Sequence, residues 1–76
     1  MKLNRKKVNE ILRTCKPGTV YTERWVCVIH DISHQSFVRR CKVDGWTREQ
    51  LIALGATLGK LRGTAPLDVE EICDGG

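Results

Sequence analysis

The stretch Tyr21–Trp46, YTERWVCVIHDISHQSFVRRCKVDGW, decides the fold. Its density of β-branched and aromatic residues, broken at Ser33-His34-Gln35-Ser36, predicts a two-stranded antiparallel hairpin. Two registers compete, and burial chooses between them. Pairing Val26 with Val43 and Ile32 with Phe37 gathers Val26, Val28, His30, Ile32, Phe37, Arg39, Cys41 and Val43 on one face. A slip of one residue sets Val38, Arg40 and Lys42 against Val26, Val28 and Ile32, so the first register is expected. The opposite face then carries Trp25, Cys27, Ile29, Val38, Arg40 and Lys42.

On the N-terminal side of this stretch, Val8, Ile11, Leu12 and Cys15 recur at i, i+3, i+4 and i+7, the apolar stripe of a helix. Asn4 is its expected cap, and Pro17-Gly18 its stop. The first turn holds Arg5, Lys6 and Lys7, where the helix dipole favours acids; a bound anion would offset that placement.

On the C-terminal side, Thr47-Arg48-Glu49-Gln50 is a capping box that opens a second helix. It is expected to run to about Arg62, with Gly63 as the left-handed residue that ends it. Leu51, Leu54, Leu58 and Leu61 form its apolar stripe. Gly55 and Gly59 lie on the flank, with Ile52 and Ala56 beyond. Two glycines inside a helix cost about 2 kcal/mol against alanine, so another backbone is expected to pack closely there. Ile52, Gly55, Ala56 and Gly59 therefore form the expected close-packing or dimer face, met either by the first helix or by a second copy across a two-fold axis. The remaining segment, TAPLDVEEICDGG, reads as a short helical turn or an edge strand with a solvated end. The expected whole is one α+β domain over residues 1–76, order α-β-β-α. Its antiparallel hairpin packs against two helices and is followed by a short acidic tail.

Charge is unevenly spread. Residues 1–16 carry six Lys/Arg against Glu10 alone, whereas residues 47–76 carry three against five acids. Such asymmetry suits an acidic partner for the N-terminal part. No apolar run is long enough to span a membrane, and the basic start lacks the apolar segment of an export signal. A cytoplasmic location follows as the expectation, with Cys15, Cys27, Cys41 and Cys73 reduced.

Chemistry-bearing patterns are few. Cys27, His30, His34 and Cys41 are residue types that zinc accepts, but strand positions 27 and 30 face opposite ways, so a metal centre is the weaker reading. No phosphate-binding loop, dinucleotide fingerprint or paired catalytic acids are legible, and neither an enzyme nor a cofactor is expected. No RNA-recognition motif, zinc finger or clear helix-turn-helix is legible either. What remains is a small binding protein, an adaptor or inhibitor resembling phage and mobile-element proteins in size and composition. It would occupy the acidic surface of a protein or nucleoprotein partner through Arg5, Lys6, Lys7 and Arg13 of the first helix and Trp25, Arg40 and Lys42 of the hairpin. The alternative is direct nucleic-acid binding by the same residues, in which Trp25 stacks on bases and the cations meet phosphates.

Overall fold

The computed structural model describes residues 2–15 and 21–74. They form five helices and no sheet: α1 (Arg5–Arg13), α2 (Glu23–Ile29), α3 (His34–Val43), α4 (Arg48–Arg62) and α5 (Val69–Ile72). The α+β expectation is therefore overturned, because the predicted hairpin is two helices. None of the helices is long and apolar enough to cross a membrane, among the described residues.

Local signals account for the two helices that replace the hairpin. The Thr22 hydroxyl accepts from the Trp25 amide and starts α2, and the Ser33 hydroxyl accepts from the Ser36 amide and starts α3. Each side chain satisfies an amide that a helix start leaves without a partner. The SHQS segment, expected as a hairpin turn, is thus a cap and first helical turn. Between the helices, Asp31 adopts a left-handed conformation with φ 54°. The Asp31 amide donates to the Val28 carbonyl and the Ile32 amide to that of Cys27. These two bonds are the pattern by which a left-handed residue ends a helix and redirects the chain.

Packing explains why β propensity loses. Helical periodicity buries Val26, Cys27, Phe37 and Cys41, and leaves Val28 73% and Val43 67% exposed. A hairpin would have set both valines on its core face. The helical solution instead centres Phe37, which is wholly buried and meets the Trp46 ring edge-on at 5.3 Å between centroids. Propensity is worth less than burying Phe37 against the half-buried Trp46 ring.

The flanking helices follow their sequence signals. Asn4 caps α1, and Val8 and Leu12 are fully buried beneath it. The expected stop at Pro17-Gly18 lies outside the described residues. Thr47 and Gln50 form the capping box of α4, and Gly63 ends it at φ 75°.

Beyond Gly63 the chain turns back on α4 and crosses both of its interior glycines. The Leu67 amide donates to the Gly55 carbonyl and the Thr64 amide to that of Gly59. A Cβ at Gly55 would collide with the Leu67 carbonyl oxygen, and one at Gly59 would stand 2.9 Å from the Pro66 Cα. The close-packed backbone is thus segment 65–67, neither α1 nor a second copy. Ile52 and Ala56 remain exposed on the outer side of that contact.

The segment expected as a short helical turn or an edge strand forms the short helix α5 and is built in as far as Asp74, while the expected solvated end, Gly75-Gly76, lies outside the described residues. Ile72 and Cys73 are fully buried, and Leu3 pairs with Cys73 in an isolated antiparallel bridge. The Asn4 amide donates to the Ile72 carbonyl, and the Asp74 amide to that of Lys2. Close backbone approach therefore joins α1, α4 and α5 into one group and α2 with α3 into another.

Candidate nucleic-acid interface

The two groups are joined chiefly through side chains, and Glu23 is the central one. It opens α2 and is buried, 8% exposed. Arg5 of α1 reaches it with two nitrogens, at 2.9 and 2.7 Å; Asn9 donates at 2.8 Å and His34 of α3 at 3.0 Å. Three helices thus meet on one carboxylate. The Arg5 guanidinium, helped by His34 and Asn9, holds the Glu23 carboxyl down at about 2 against the upward push of burial. The same contact raises the pKa of Arg5.

A second tie joins the turn to α4. The Thr57 hydroxyl donates to the Ala53 carbonyl, so its oxygen accepts from His30 Nε2 at 2.8 Å. Burial lowers the pKa of His30, which favours the neutral ring in this contact.

A third contact locks the inner side of α3. The Arg40 guanidinium carbon lies 5.3 Å from the centre of the Trp46 ring. The Trp46 Nε1–H is buried and has no hydrogen-bond partner among the described residues. Burial pushes the Cys41 thiol up.

These ties sort the expected partner-binding residues. Arg5 is committed to Glu23, Lys7 donates to the Cys73 carbonyl at 2.8 Å, and Arg40 covers Trp46. Lys6, Arg13 and Lys42 are exposed and take part in no ion pair among the described residues. Trp25 is 49% exposed on α2, beside Tyr21, with Val28 and Ile29 along the same helix. It shares no strand face with Arg40 and Lys42, because that face does not exist. Gly55 and Gly59 are buried under segment 65–67 and belong to the scaffold. The zinc pattern is also dispersed: His30 bonds Thr57, His34 bonds Glu23, and no cluster of three or more metal-ligating side chains occurs among the described residues.

What the helices present instead is the outer side of α3. Gln35, Arg39 and Lys42 are exposed at i, i+4 and i+7, with Val38 half-buried between them. Phe37 and Cys41 occupy the opposite, buried side. α3 contains no acidic residue and three basic ones. Reading the stretch as a strand hid Gln35 and Arg39: the first fell in the turn, and the second on the core face. The signal that finds them is the pair of hydroxyl caps, Thr22 and Ser33, each followed by apolar residues at helical spacing.

Two short helices joined by residues 30–33, with a left-handed residue in the turn and a basic outer face on the second, have the order and turn length of a helix-turn-helix unit. No family model, curated protein or solved structure gives a significant match to this chain.

Proposed function

We propose that the protein is a small non-enzymatic module that binds duplex DNA by laying the outer face of α3 against it. The observation that carries this reading is the outward stripe Gln35, Arg39 and Lys42, on a helix held from behind by Phe37, Cys41 and the Glu23–His34 bond. A helix-turn-helix unit places its second helix in the major groove, with the first helix crossing the backbone. Charge supports the same orientation. Residues 1–46 carry ten Lys/Arg against four acids, whereas residues 47–76 carry three against five. The part of the chain that contains α3 is thus the more basic one, which favours phosphate there. The four free, buried cysteines suit a reducing, cytoplasmic setting.

The test is fluorescence anisotropy on a labelled random-sequence duplex across a salt series. Binding at low salt that falls steeply as salt rises is expected, with at least a tenfold loss in the double variant Arg39→Glu, Lys42→Glu. Circular dichroism verifies that this variant keeps its helices. Absence of duplex binding at low salt, or undiminished binding by the folded double variant, overturns the reading.

A second reading, an adaptor or inhibitor on a protein or nucleoprotein partner, draws on the exposed stripe Trp25, Val28 and Ile29. Large exposed apolar residues of this kind are common anchors of protein interfaces. That reading predicts a partner whose capture is abolished by Trp25→Ser and unaffected by the α3 charge reversals.

A further inference from the structure

We infer that Gln35 and Arg39 are the base-reading pair of α3, Gln35 recognising an adenine and Arg39 a guanine within two base-pair steps of it. This rests on the reading of α3 as the duplex-facing helix.

The assignment begins with which side chains are free to read. His34 is tied to Glu23, Arg40 lies over Trp46, and the Ser36 hydroxyl accepts from Ser33 inside the cap. Phe37 and Cys41 are buried. Gln35 and Arg39 are exposed, make no side-chain hydrogen bond or ion pair among the described residues, and line a polar hollow with Ser36 and a more apolar one with Val38 and Lys42.

The chemistry of the two groups then selects their targets. A glutamine amide offers a donor and an acceptor in one plane and matches the N6 donor and N7 acceptor of adenine. A guanidinium offers only donors, in a fork that matches O6 and N7 of guanine. Four residues along a helix rise about 6 Å, and successive base pairs are about 3.4 Å apart. The two contacts therefore fall within two steps of each other. Gln35 is the second residue of α3, the end that meets base edges when such a helix enters the groove. Val38, half-buried between them, presents methyl groups suited to a thymine methyl. Lys42, at the far end of the stripe, is a point charge on a flexible stem and suits a phosphate.

The experiment is a binding selection from a duplex pool with a randomised central segment, run with the wild type, Gln35→Ala, Arg39→Ala and Lys42→Ala. The wild type is expected to select a motif with a G·C and an A·T pair within two steps. Arg39→Ala should relax the guanine alone, and Gln35→Ala the adenine alone, each with on the order of tenfold or greater loss of discrimination. Lys42→Ala should weaken all sequences alike and reduce the salt slope by about one. Each variant replaces an exposed side chain, and an unchanged melting curve verifies that it is folded.

A motif that survives Arg39→Ala and Gln35→Ala unchanged, or no motif from a wild type that binds duplex with the expected salt dependence, overturns the base assignment and leaves the DNA-binding reading standing. No duplex binding at low salt overturns both.

Discussion

The α1–α4–α5 group and the α2–α3 pair are held by different physics. In the first, backbone touches backbone: segment 65–67 lies on Gly55 and Gly59, and residues 2–4 meet 72–74 through main-chain bonds. The second shares the same buried cluster through Val26, Cys27, Phe37 and Cys41, but its polar ties to the first, at Glu23 and at His30–Thr57, run through side chains. A lattice of main-chain contacts has little room to adjust, whereas side-chain ties can be lengthened or lost singly. The scaffold is thus expected to open last and the presenting pair first, a difference that amide exchange reports as slower exchange in α4 than in α2 and α3.

The sharpest way to break this contrast is at the notches of α4. Gly59→Ala improves helix propensity by about 1 kcal/mol, but its methyl would enter the backbone of Ala65 and Pro66. A net loss of about 2 to 3 kcal/mol is expected in urea unfolding, the result of overfilling a packed site. A more stable variant would refute the notch.

Glu23→Gln tests the other region. It removes the charge on which Arg5, Asn9 and His34 converge and is expected to cost about 1 to 3 kcal/mol at neutral pH. Its pH dependence has a definite sign. The folded carboxyl titrates at about 2, below the unfolded value of about 4.3, so its stabilisation is present above that unfolded value. The contribution drains away as pH falls from about 5 towards 2. Melting temperatures of the wild type and variant should therefore converge in acid; a constant gap across that window would show that the carboxylate charge is not what holds the pair.

The smallest effect belongs to the second tie. Thr57→Val keeps the shape but removes the acceptor for His30, and about 1 kcal/mol is expected. Faster amide exchange confined to α2 and the turn would place the loss where the contrast requires it. A uniform change across all helices would not.

The same division separates what was legible in the sequence from what was not. The Asn4 cap, the Val8 and Leu12 stripe, the Thr47–Gln50 box and the left-handed Gly63 are local signals, and local physics decides them. Residues 21–46 carry signals of two kinds. Val28, Ile29, Val38 and Val43 suit a strand, while Thr22 and Ser33 are helix caps. The contest is settled by where Phe37 packs, a contact with Trp46 that no short window contains. The glycines correctly announced a close backbone but not whose it was, because the answer lay with Ala65-Pro66-Leu67, apparently ordinary loop residues. On the outer face of α3, Lys42 was legible as an exposed cation. Gln35 and Arg39 became visible only once residues 34–43 were seen to be a helix.

The pairing of the two ends makes distant parts of the chain depend on one another. Ile72 and Cys73 fill the interior beside Leu3, and segment 65–67 seals the glycine notches of α4. The leucines of α4 and the apolar stripe of α1 share one buried cluster, and Val69, Ile72 and Cys73 complete it. The contact between residues 3 and 73 closes a loop of about seventy residues, the kind of long-range pairing that slows folding more than it costs stability. Shortening or loosening the 65–74 segment is therefore expected to unseat α1 and α4 together, although it lies far from both in sequence.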